Sequence, residues 1–163
     1  MKSSVLIVTT LLVLGSLNWL IIGKEMILRS GRTVLCQLAP RDPRSIMQGD
    51  YMVLGYAIAQ DAASHVPEGT SDGDLILTLD ENDVATFQRV DNDTPLASTG
   101  VRVRFRSRSG FFGAGTIQIG AESYFFQEGR AEHFNEAKYG ELKVASNGEC
   151  ILVGLRDAHR NKL

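Results

Sequence analysis

The chain opens with a long apolar run, Val5 to Gly23 (VLIVTTLLVLGSLNWLIIG), and then changes to shorter apolar runs separated by polar turns. The opening run carries no charge and matches the roughly 20 residues an α-helix needs to cross a bilayer. Lys2 and Lys24 bracket it, and Trp19 lies toward its far end, where an interfacial aromatic is favoured. A cleaved signal peptide is the rival reading. The run exceeds the roughly 7–15 residues of a signal h-region, however, and no A-x-A-like site follows it. No Cys directly follows it either, which disfavours a lipid-modified cysteine. The expected organisation is a tail (1–4), a transmembrane anchor (5–23), a linker (24–32), a β-rich globular domain (33–158) and a C-terminal tail (159–163). An anchor preceded by so short a tail usually leaves that tail in the cytoplasm. The domain is therefore expected in the periplasm, beside the bacterial inner membrane, although Lys2 against Lys24, Arg29 and Arg32 discriminates little.

Beyond Thr33 the signals are mainly of strand type. TVLCQLA (33–39) and YMVLGYAIA (51–59) are rich in β-branched and large apolar residues and bounded by turn residues. HVPEGTSDGD (65–74) reads as an exposed loop. LILTLDENDVATFQRV (75–90) reads as a hairpin with its tip at Asp80–Asp83. In VRVRFRSRSG (101–110), Arg102, Arg104, Arg106 and Arg108 alternate with Val101, Val103 and Phe105, so the two sets occupy opposite faces of a strand. Further strands are expected in TIQIGAESYFFQEG (116–129). RAEHFNEAKY (130–139) is the expected soluble helix, with Ala131, Phe134 and Ala137 on one side and Gly140 as its C-terminal stop. GELKVASNGECILVGLRD (140–157) reads as a hairpin turning at Asn147-Gly148. The fold class is thus mainly β, an antiparallel sheet or barrel-like domain with one short helix, preceded by one transmembrane helix.

Length and composition narrow this further. At 163 residues, less the anchor, the chain holds one compact domain. Its 44% hydrophobic and 22% charged residues exclude wholesale disorder. A net charge of −2 argues against a nucleic-acid binder, and the arginine face lacks the interleaved aromatics such binding needs. That face is read first as a solvated surface with acids on neighbouring strands, and second as a surface for anions such as phospholipid head groups. Cys36 and Cys150 are too far apart in sequence for a CxxC zinc site and are compatible with one disulfide or two thiols. His65, His133 and His159 have no metal-ligand spacing. There is neither a P-loop nor a GxGxxG motif, and no cofactor is expected.

The densest turn chemistry is PRDPRSIMQGDYMVLGY (40–56). Pro40 and Pro43 exclude helix, Asp42 suits an Asx turn, and Gly49 supplies a positive φ before Asp50 and the strand opened by Tyr51. Tyr51, Val53 and Gly55 then share one face, and Met52, Leu54 and Tyr56 the other. Arg44 and Asp50 are placed to pair across the corner. GDYMVLGY fits G-D-Y-x-x-L-x-Y at Gly49, Asp50, Tyr51, Leu54 and Tyr56, and so resembles the bacterial GDYXXLXY family of membrane-anchored proteins. The resemblance extends through LAPRDPRSIMQGDYM, FFQEGRAEHFNEAKYGELKV and ILVGLRD. Arg41 departs from the small or apolar residue expected before Asp-Pro-Arg. The resemblance implies no established activity, and association with multi-pass membrane proteins.

A likeness of RSIMQGDYMVL to signal-peptidase-like proteases fails on chemistry. Aligning on Gly49-Asp50 puts Arg41 at the nucleophile position, Ser45 is too near the turn, and no lysine base follows. The remaining candidates are the motif corner (Asp42, Arg44, Gly49, Asp50, Tyr51, Leu54, Tyr56) and residues flanking the helix: Gln127, Glu128, Tyr139, Glu141 and Arg156. Acid–arginine pairs are the plain reading of the second group. The alternative is an acidic cluster of Asp50, Glu128 and Glu141 that binds a cation or a small ligand or performs acid–base chemistry. The overall expectation is a membrane-anchored, non-catalytic interaction domain with a multi-pass membrane partner.

Overall fold

Helix α1 runs from Lys2 to Ser30, and strand β1 (Arg32–Gln37) follows after Gly31 alone. The computed structural model describes residues 2–39, 51–67, 69–92, 94–108, 116–127 and 129–163, the side chains of 2–4, 131 and 132 excepted. The expected linker at 24–32 is therefore helix for most of its length. The chain gains more from continuing the backbone ladder than from breaking it. Ile27 is buried against the domain, Arg29 pairs with Glu25 one turn back at 2.7 Å, and the Gly31 N–H closes the last turn on Ile27 O at 2.8 Å. α1 also satisfies its own polar side chains. Thr9, Thr10 and Asn18 donate to the carbonyls four residues earlier, and Ser16 to the one three residues earlier.

The remaining elements are β2 (Tyr51–Val53), α2 (Ala57–Ala63), β3 (Asp72–Leu79), β4 (Val84–Val90), β5 (Gly100–Arg108), β6 (Thr116–Gln118), β7 (Ser123–Phe125), a 3-10 helix (Ala131–Glu136), β8 (Tyr139–Val144) and β9 (Cys150–Arg156). Seven strands form one sheet in the order β6-β5-β3-β4-β1-β8-β9, and β2 pairs separately with β7. The expected antiparallel pattern holds at every pairing except β1–β4, which is parallel (Leu35↔Val84, Cys36↔Ala85). β3 and β4 dock as a hairpin, and this leaves β4 running in the direction of β1. The sheet curls. The β8–β9 turn reaches across to β5, where Gly148 O accepts the Arg104 N–H at 2.8 Å, and Cys150 Sγ–H reaches Ile119 O at 3.2 Å.

The concave face holds the core: Val34, Cys36, Leu75, Leu77, Val103, Phe105 and Leu142. α2 closes it by inserting Ile58 and Ala62. This helix replaces the second half of the strand expected over 51–59. AIAQDAA is rich in alanine, the best helix former, and a helix here turns its apolar side to the open mouth of the curled sheet. The alternation expected for the motif nonetheless persists: Met52, Leu54 and Tyr56 are buried, while Tyr51, Val53 and Gly55 are partly exposed.

The helix expected at 130–139 is a single 3-10 segment. Apolar residues every three positions fit three residues per turn, and of these Phe134 is buried. Gly140 is not its stop. Ala137 turns extended and ends it, and Gly140 lies within β8. The hairpins at Asp80–Asp83 and Asn147–Gly148 form where expected. Asp80 Oδ1 accepts the N–H groups of Asn82 and Val84, both at 2.8 Å, and Gly148 takes φ +83°. The C-terminal tail at 159–163 is tied to the domain. Asp157 caps a turn through the N–H groups of His159 and Asn161, and the Leu163 N–H bonds Leu155 O at 3.1 Å.

Candidate functional site

Of the expected site residues, Asp42, Arg44, Gly49, Asp50 and Glu128 lie outside the described residues. The others fall into two groups on opposite faces of β8.

The first group is the motif corner. Tyr51 stands opposite Phe125 in the β2–β7 pair, with ring centroids 5.7 Å apart; Phe125 is 73% exposed. Leu54 and Tyr56 point inward. The Tyr56 hydroxyl donates to Ala121 O at 2.6 Å, and its ring lies against Gly140, where a Cβ would come within 2.9 Å of it. Cys36 stands opposite Gly140 on β1, so the motif tyrosine packs beside a buried thiol. Beside Tyr56 opens a cavity of 320 Å³ whose polar lining is Gln60, Thr116, Gln118 and Glu122.

Glu122 is the residue the sequence reading missed. Its carboxylate accepts the N–H groups of Ile119 and Gly120, and its backbone carbonyl accepts the Leu54 N–H at 2.7 Å. No spacing signal links Glu122 to the motif, because the contact joins segments far apart in sequence. Burial pushes the Tyr56 phenol well above its usual range, with Cys36 and Glu122 adding to the effect. Burial likewise raises the Cys36 thiol, and raises Cys150 to about 12 with Glu122 reinforcing it. Both cysteines are free thiols held neutral at physiological pH. Among the described residues of the corner, the Tyr56 phenol is likewise held neutral. The corner is a packed joint beneath an exposed aromatic pair.

The second group is Glu141 with Arg156. Glu141 is buried, and its Oε2 accepts from Arg156 Nε at 3.0 Å; Arg156 Nη1 donates to Arg160 O at 2.7 Å. Tyr139 stands opposite Arg156 in the β8–β9 ladder. Gln127 is exposed, and its carbonyl accepts the Arg130 N–H at 3.1 Å. The pair is an acid–arginine clamp that holds the C-terminal segment over the outer face of the sheet. Among the described residues no group of three or more His, Cys, Asp or Glu side chains is arranged to hold a metal ion.

The arginine stripe of β5 divides in two. Arg102 meets Asp91 at 2.7 Å and Asp74 at 3.8 Å, and Arg104 lies 3.7 Å from Asp74. Arg106 and Arg108 are exposed, and among the described residues no carboxylate lies within 4.0 Å of either.

The family model described as GDYXXLXY protein matches residues 13–155, and the chain belongs to that family. No curated protein and no solved structure is significantly similar to it.

Proposed function

We propose that this member of the GDYXXLXY family is a membrane-anchored, non-catalytic docking subunit of a multi-pass membrane protein. In this reading α1 crosses the bacterial inner membrane, its short N-terminal tail stays in the cytoplasm, and the β domain works at the periplasmic surface. The observation that carries the reading is the junction at Gly31. A helix long and apolar enough to span a bilayer passes into the central sheet through one residue, so the domain is held in a fixed orientation at the helix end. Two features support it. None of the most apolar window of α1 is buried by the domain, leaving that surface for lipid or other helices. The Thr9, Thr10, Ser16 and Asn18 side chains are satisfied within the helix, as hydrocarbon surroundings demand. The contact surface assigned to the partner is the corner topped by Tyr51 and Phe125, where an aromatic is exposed although the domain has an interior able to bury it. A catalytic reading through Glu141 has little to work with, since Arg156 already occupies that carboxylate.

The test is capture from native membranes in mild detergent, comparing wild type with Phe125→Ser. Phe125 is exposed, so the variant keeps its core. A multi-pass protein recovered with wild type and lost with Phe125→Ser supports the reading. Recovery of the same partner by both moves the interface elsewhere, and failure of wild type to retain any multi-pass protein refutes the docking role.

A further inference from the structure

The β8–β9 turn joins two basic elements that are remote in sequence. On one side Glu149 Oε2 meets Lys24 Nζ at 3.1 Å, across 125 positions of the chain. On the other side Asn147 O and Gly148 O accept Arg104 Nη2 and the Arg104 N–H, at 3.2 and 2.8 Å. The result is a cavity of 280 Å³ whose charged lining is Lys24, Arg104, Arg106 and Glu149. Lys24 is paired with Glu149 and Arg104 lies 3.7 Å from Asp74, which leaves a local excess of one positive charge, on Arg106, in a protein whose net charge is −2. Arg106 is the uncommitted cation of the set. Asp72, its cross-strand neighbour, has its Oδ1 engaged by the Ser71 hydroxyl at 2.6 Å.

A second cavity of 510 Å³ lies along α1 and shares Lys24 and Glu149 with the first. Its helix side is largely apolar, with Trp19, Leu20, Gly23 and Ile27. Lys24 is the first charged residue after the Val5–Gly23 run. At about 1.5 Å per residue that run covers about 28 Å, close to the hydrocarbon thickness of a bilayer. Lys24 thus marks the level at which hydrocarbon gives way to head groups. The cavity along the helix runs from Trp19, below Lys24, to Gly31 above it, and the basic one opens beside Lys24 toward β5.

We infer that this two-part groove is a binding site for one anionic phospholipid, with its phosphate on Lys24, Arg104 and Arg106 and an acyl chain along Trp19, Leu20 and Gly23. The assignment rests on the reading that α1 crosses the membrane. An amphiphile matches the change of lining across the Lys24–Glu149 pair, and an anionic head group matches the excess positive charge. It also gives Arg106, which among the described residues has no carboxylate within 4.0 Å, a role distinct from that of Arg102, held by Asp74 and Asp91.

Trp19 is the single tryptophan in the chain and lines the groove, so its fluorescence reports the occupant. The full-length protein is reconstituted in phosphatidylcholine vesicles containing a small fraction of either brominated phosphatidylglycerol or brominated phosphatidylcholine. The expected result is stronger quenching by the brominated phosphatidylglycerol at equal fraction. The relative affinity should fall about fivefold for each cation removed by Arg106→Gln or Arg104→Gln. Quenching by brominated phosphatidylcholine should be unchanged in both variants, which shows that the helix remains inserted. Equal quenching by the two lipids in wild type overturns the site while leaving the anchor intact. A preference that survives both variants also overturns it, as does one abolished by inorganic phosphate, which assigns the cations to a free anion. Absence of quenching by either lipid removes the anchor itself, and the lipid site with it.

Discussion

Gly140 is where the family motif meets the sheet, and replacing it tests whether Tyr56 is locked. A Cβ at Gly140 would lie 2.9 Å from Tyr56 Cε1, 3.2 Å from its hydroxyl oxygen and 3.4 Å from Leu152 Cδ1. Tyr56 is 1% exposed, and its hydroxyl donates to Ala121 O at 2.6 Å. The ring therefore cannot retreat without stretching that bond. Overpacking of this kind costs about 1–3 kcal/mol. Losing the buried hydrogen bond adds about 1–3 kcal/mol, and removing a glycine from the unfolded chain returns about 0.4–1 kcal/mol. Gly140→Ala should thus destabilise the fold by about 1–6 kcal/mol, up to a large part of the stability of an ordinary domain. Tyr56→Phe leaves Ala121 O unpaired and should cost about 1–3 kcal/mol. In the double variant the ring is free to slide away from the new methyl group. The two losses should therefore fall short of additivity by about 1 kcal/mol or more. The assay is guanidinium denaturation of the full-length protein in mild detergent, followed by far-UV circular dichroism. A Gly140→Ala variant within about 0.5 kcal/mol of wild type, or a strictly additive double variant, would refute the lock.

Arg156→Ala should cost about 2–4 kcal/mol, because it strands the buried Glu141 carboxylate, and should expose residues 157–163 to limited proteolysis; unchanged protease resistance would contradict the clamp. Cys36 and Cys150 are raised by burial, so the unfolded chain loses their protons first, near pH 9. Their stabilising contribution is complete below that pH and declines as pH rises, by up to about 1.4 kcal/mol per pH unit for each thiol. Denaturation midpoints compared at pH 7.5 and pH 10 should fall in wild type and fall less in a Cys36→Ala, Cys150→Ala variant. Asp80 has its carboxyl lowered by the N–H groups of Val84 and Asn82, so its contribution is present above the usual carboxylate range and is lost on acidification. Asp80→Ala should therefore lower the midpoint at pH 7, and the gap to wild type should narrow as acid protonates the carboxylate; a gap that does not narrow in acid would rule out the charged cap.

What the sequence by itself determined is what short stretches decide locally. An uncharged run of bilayer length makes α1, alternation of apolar and polar positions makes β5 and sets which side chains of the motif are buried, and Asp80 and Gly148 carry their turns in their own chemistry. The G-D-Y-x-x-L-x-Y pattern was legible as a family signature for the same reason. Tertiary structure alone decided the contacts between distant segments. Ala57–Ala63 became helix because the curled sheet left an opening that an apolar helical side fills, and Gly140 was taken into β8 because only a residue without a Cβ fits against Tyr56. Glu122 joined the motif, and Lys24 met Glu149 and the β5 arginines, across separations that carry no spacing signal. Such contacts depend on how the sheet curls. Curl is the summed twist of strands drawn from the whole domain, so no short window of sequence encodes it.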